Sequence, residues 1–116
     1  MTGAQRPPRL NRRLVLEAPV TAADGAGGFT GGWAALGTVR AEMRAGRGDT
    51  GDAAGMPVAA MAYRVVLRAQ PPGSAARPHP GQRFRDGARV FAIRAVAEAD
   101  PAGRFLICFV QEEVAA

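Results

Sequence analysis

Fifteen glycines and nine prolines punctuate this chain of 116 residues, so its regular elements have to be short. Glycine loses the most backbone entropy inside any element, and proline fixes φ and removes a donor. Together they run at roughly twice their usual share. A bundle of long helices is therefore excluded, and short strands joined by many turns are favoured. The length is that of one domain. The apolar share is 47%, but aromatics supply only 6%, so the core must rest on a few large side chains. Small domains bury a smaller fraction of their surface, and part of the stability is expected to come from assembly.

Alternation locates the strands. Residues 1–9 are polar, basic and proline-bearing, and read as a flexible arm. In residues 10–17, Leu14 and Leu16 alternate with Arg13, Val15 and Glu17, a first strand that Pro19 is expected to end. Residues 22–32 are dense in glycine and read as a mobile loop. Val39, Ala41 and Met43 alternate with Thr38, Arg40 and Glu42, which predicts a strand over 33–43. A long charged loop over 44–57 follows, of a length that is usually functional or disordered. The clearest strand covers 62–69, where Tyr63, Val65 and Leu67 oppose Arg64, Val66 and Arg68.

Four prolines keep residues 70–81 irregular. Asp86-Gly87 then signals a two-residue hairpin turn, with a return strand over 88–97 that puts Phe91 and Ile93 on one face. A reversal at 100–103 leads into 104–111, apolar on both faces and so expected to be central. The pattern predicts an all-β fold with at most one short helix. Its form is a small antiparallel barrel or sandwich of about five to six strands with long loops, over 10–113, closed by a short tail at 114–116.

A search for chemistry yields little. His79 lies between Pro78 and Pro80 with no assignable orienting partner, and Ser74 is the only serine. Cys108 is the only cysteine, which excludes an intrachain disulfide and a Cys/His metal site. Within its apolar run it reads as a small buried hydrophobe. The pairs Asp49/Asp52, Glu98/Asp100 and Glu112/Glu113 lack the ordered ligand series of a calcium loop. A Walker A loop needs a lysine, and the chain has none. Arg47-Gly48-Asp49 matches an adhesion tripeptide, a match short enough to arise by chance. No catalytic residue, metal site or cofactor is therefore expected. Nor is there an apolar run of membrane-spanning length or a secretory core, so a protein made in the cytoplasm and staying soluble is expected.

The formal charge is +5, and every one of the 15 basic side chains is arginine. Excess positive charge attracts phosphate or acidic protein surfaces. Arg64 and Arg68 share a strand face, and Arg83, Arg85, Arg89 and Arg94 cluster around the hairpin. Aromatics are too few for a base-stacking platform. Sequence-independent phosphate attraction or salt bridges between subunits remain.

The order of segments resembles the head-tail joining proteins of siphophages and gene transfer agents, the stopper or head-completion family. Leu10, Arg13, Leu14 and Leu16 match its first strand, Asp24, Gly27 and Gly28 its glycine loop, then Trp33, and Val39 with Ala41. Tyr63, Arg64, Val65, Leu67 and Arg68 match its central strand. Gly81, Arg83, Phe84, Gly87, Arg89, Phe91, Ile93 and Val96 form the tightest block, and Cys108 closes the set. Two connections depart from the pattern: the proline-rich stretch after Leu67 is longer, and 44–57 is richer in glycine. The resemblance implies a non-enzymatic β-barrel subunit in a homo-oligomeric ring at the head-tail junction of the virion or particle. That ring would contact the portal or adaptor on the head side and the tail terminator or tail proteins on the other. Packaged double-stranded DNA would pass through it, and the subunit would be synthesised in the bacterial cytoplasm. It further implies that the loop over 44–57, with Arg44 and Arg47, can face the DNA channel; a subunit contact is the other reading of that loop. A different class, a small OB-like or SH3-like barrel binding nucleic acid directly, would bind free DNA as a monomer with a steep salt dependence.

Overall fold

A computed structural model of the protein describes residues 7–46 and 61–113. Six strands account for most of them: β1 (Arg12–Ala23), β2 (Phe29–Ala45), β3 (Met61–Arg68), β4 (Arg83–Asp86), β5 (Arg89–Glu98) and β6 (Phe105–Glu113). All pairings are antiparallel. The order β1-β2-β3-β6-β5-β4 closes on itself through β4 and β1, so the fold is a barrel, and no helix occurs among the described residues.

The alternation read from the sequence decides what lies inside. Leu14 and Leu16, Val65 and Leu67, and Phe91 and Ile93 are all buried in one cluster with Phe84, Leu106, Cys108 and Val110. The outward positions include Arg13, Arg64, Arg68 and Arg94. Closure leaves no free edge in the barrel itself. β6 lies between β3 and β5, as every strand of a closed barrel lies between two others, and Phe109 on its outer face is exposed although the sequence suggested burial on both faces.

Two bulges interrupt the pairing. On β2 the register skips Leu36, between the pairs Leu16↔Gly37 and Glu17↔Ala35. On β5 it skips Arg94, between Ile93↔Val110 and Ala95↔Phe109. An extra residue bends a strand and resets its alternation. The second bulge thereby returns Val96 to the core side.

The first bulge marks where the β1–β2 hairpin leaves the barrel. Beyond it, residues 18–23 and 29–34 pair only with each other, from Ala18↔Ala34 to Ala23↔Phe29. The mobile loop expected over 22–32 is thus mostly ribbon, and only residues 24–28 form the turn. Pro19 does not end β1, because a ribbon strand has a single neighbour and tolerates a missing donor on its open side. At the tip, Asp24 Oδ1 accepts from the Ala26 and Gly28 amides at 2.8 and 2.9 Å.

The expected loop over 44–57 needs a second correction. β2 runs on to Ala45, so Arg44 is a strand residue, and residues 47–57 lie outside the described residues. The β4–β5 turn is also one residue later than Asp86-Gly87. Asp86 pairs with Arg89, leaving Gly87 and Ala88 as the loop, and Gly87 takes φ +62°. A Cβ in that conformation meets the following carbonyl. Gly87→Ala should therefore cost about 1–2 kcal/mol, seen as a lower urea midpoint with an unchanged slope. An unchanged midpoint would show that the turn adopts another conformation.

Candidate functional site

The topology gives the barrel two different ends. One carries the ends of β2 and β3, Ala45 and Met61, which bracket residues 46–60. Inward-facing side chains continue past the core here and become charged. Arg89 grips Glu112 with two hydrogen bonds, Nε to Oε2 at 2.8 Å and Nη2 to Oε1 at 3.0 Å. Its guanidinium also lies 5.0 Å above the Phe91 ring, and Tyr63 meets that ring edge-on at 5.6 Å. Arg12 pairs with Asp86 at 3.1 Å beside them. Hydrogen bonds from Arg89 hold the Glu112 carboxyl below its ordinary value, against a smaller opposing effect of burial. The result is a polar plug of paired charges over an apolar core.

The ribbon leaves from the opposite end. Its base is locked on the outer face by a ladder of four side chains. Glu17 is 5% exposed and accepts from Arg83 Nε and Arg85 Nε, each at 2.7 Å. Arg83 in turn lies 4.0 Å over the Trp33 ring. Burial works against the Glu17 charge, but the hydrogen bonds from Arg85 and Arg83 outweigh it and keep the carboxyl below its usual range. Trp33 is thus the clamp between ribbon and barrel, a role the sequence did not reveal. The signal that could have found it is a lone tryptophan beside a glycine pair in an otherwise uncharged stretch.

The outer face around β2 is basic. Arg13 stands directly opposite Arg40, and Arg44 directly opposite Arg64. Like charges in that position are destabilising. Glu42 lies between the arginines of β2, bonding Arg44 Nε at 2.9 Å and the Arg9 amide at 2.6 Å. Among the described residues no carboxylate pairs with Arg13, Arg40, Arg64 or Arg68. Arg64 and Arg68 instead lie over Phe109 and Phe105, at 5.8 and 5.3 Å. A shallow cleft of about 650 Å³ borders this face, between Pro7, Pro8, Arg44, Asp100, Arg104 and Phe105. It joins no nucleophile to a base.

The other residues singled out in the sequence fall in separate places. Gly81 lies in the turn before β4 with φ +92°, and its amide donates to the Ile93 carbonyl. Ile93 and Phe91 belong to the core. Arg44 is exposed on the outer face, and Arg47 lies outside the described residues, as do Asp49 and Asp52. His79 is exposed in its loop, its amide bonded to Gln82. Cys108 is fully buried, and burial pushes its thiol up to about 12. No group of three or more potential metal ligands occurs among the described residues.

A barrel with a charged plug, a projecting ribbon and a bare arginine face is built for contact with other molecules. The phage head completion protein family model matches residues 6–113. The chain belongs to that family. It is also similar to a chain in a solved structure described as the virion of a native gene transfer agent particle. Identity is 53% over 95% of this chain and all of the other, with a TM-score of 0.74. No curated protein matches. The head-completion resemblance thus holds for the whole barrel.

Proposed function

We propose that this head completion protein is a structural connector of a tailed phage or gene transfer agent particle. In this reading it forms a ring below the portal and adaptor, docks the tail proteins and extends the channel through which packaged DNA passes. One observation carries the reading: 53% identity, over the full length of the other chain, to a component of a gene transfer agent virion. The architecture supports it. Barrel closure supplies a rigid unit, and the two ends present different chemistry to neighbours above and below.

Residues 46–60 leave from the plugged end, and Arg44 stands just before them on β2. In the same reading Arg44 and Arg47 stand beside the DNA channel, where guanidinium groups would meet phosphates without reading sequence. The test is electron microscopy of purified particles with the chain located by cross-linking. A ring of this chain between head and tail is the expected result. Its absence from particles, with salt-sensitive binding of free DNA by the monomer, would overturn the reading in favour of a nucleic-acid-binding barrel. Particles carrying Arg44→Ala with Arg47→Ala should leak DNA, measured as nuclease-accessible genome. Full retention would remove both arginines from the channel.

A further inference from the structure

Between Glu17 and Arg40 the chain holds one charged residue, Asp24, on a protein of net charge +5. That uncharged stretch is the ribbon. Its six-residue β1 half, at about 3.3 Å per residue, reaches roughly 20 Å from the barrel. It exposes Val20 at 44% and Phe29 at 73%. Past Glu17 and Ala35 each of its strands has one partner, so both outer edges carry unpaired backbone groups. A lone two-stranded hairpin is marginal in water, and an open edge invites pairing. Among the described residues, the Trp33–Arg83 stack is what ties this one to the barrel by side chains. The ribbon is therefore built to be covered.

The arginine face has the opposite deficit. Arg13 with Arg40 and Arg44 with Arg64 oppose each other across β2, and Glu42 is the one acid among them. Exposed Phe109 lies at its side, in contact with Arg64. An acidic tip on an apolar stalk fits an arginine patch with an apolar neighbour. Both surfaces belong to this chain and lie at different places on it, so the ribbon of one copy can engage the face of the next. Such a contact is heterologous, the kind that generates rings when the rotation closes.

We infer that the β1–β2 ribbon of each copy docks on the arginine face of a second copy of this chain, with Asp24 set against Arg13, Arg40 and Arg64. The inference rests on the ring reading above and deepens it by naming the contact. Arginine and aromatic residues are enriched in protein interfaces, in agreement with a protein occupant for this face.

Cys108 is buried and inert, so introduced cysteines report alone. Ala26→Cys at the tip and Thr38→Cys beside Arg40 leave the charged groups intact. Particles and concentrated full-length chain, each containing a mixture of the two variants, are oxidised and analysed by non-reducing gel, with ring formation followed by electron microscopy. The expected result is a disulfide-linked dimer joining one variant to the other, which neither variant forms alone. Adding Asp24→Asn, which keeps the Oδ1 acceptor of the tip turn, should lower its yield several-fold, more so at low salt. Rings without the mixed dimer would overturn the inference and leave the connector reading standing. A ribbon cross-linked to a different protein would overturn it as well. Particles with no ring of this chain would remove both.

Discussion

Replacing Phe91 by alanine is expected to lower stability by about 3–5 kcal/mol, among the largest single-site losses this barrel can show. Phe91 is fully buried, faces Phe84 across the β4–β5 pair and receives the edge of Tyr63 at 5.6 Å. Its removal deletes the transfer energy of the ring and leaves a cavity that a closed barrel cannot collapse around, because every wall is tied to two neighbours. It also strips the apolar floor from beneath Arg89 and its bond to Glu112. Domains of this size have about 5–15 kcal/mol in all, so the variant should unfold at markedly lower urea or not fold at all. Phe29→Ala deletes the same atoms at a site 73% exposed and should change monomer stability by less than about 0.5 kcal/mol. Equal losses at the two positions would mean that the ribbon packs against the barrel in solution.

The contrast between these phenylalanines shows what the sequence could disclose. Phe91 and Ile93 declared their inward face by alternation, as did Leu14 with Leu16 and Val65 with Leu67, because a period of two survives in a strand whatever its partner. The hairpin was legible from its Asp86-Gly87 turn pair, although Gly87, not Asp86, carries the positive φ that begins the loop. The ribbon was not legible. Gly25, Gly27, Gly28, Gly31 and Gly32 erase the side-chain pattern, and pairing such as Thr21↔Gly31 is held by backbone alone. Pro19 reads as a stop when two neighbouring strands are assumed, but it has one. The Glu17 cluster was hidden by distance along the chain. Its arginine partners are 66 and 68 residues away, and nothing local distinguishes a glutamate about to be buried from one in water.

Glu17→Gln should be the largest effect from a charged position, about 2–4 kcal/mol at neutral pH. Glutamine keeps the shape but leaves Arg83 and Arg85, both on β4, without their shared counter-charge. Arg104→Ala, which removes a guanidinium mostly in solvent from its pair with Asp100, should cost well under about 1 kcal/mol. The dependence on pH follows from the direction of the Glu17 shift. Burial opposes the charge, the hydrogen bonds from Arg85 and Arg83 prevail, and the folded carboxyl binds its proton at lower pH than the unfolded one. The stabilisation is therefore complete above the ordinary glutamate value of about 4.3, and it is lost as pH falls through the lower folded value. Wild type and Glu17→Gln should thus converge in stability on acidification, because a protonated Glu17 resembles glutamine. A gap that stays constant down to about pH 3, below the ordinary glutamate range, would show that the cluster acts through packing and not through charge. Trp33 is the only tryptophan, and its ring lies against Arg83, so its fluorescence reports the same event. A change in emission before global unfolding would show the ribbon loosening first, since the ladder from Glu17 through Arg83 to Trp33 is what fixes its base.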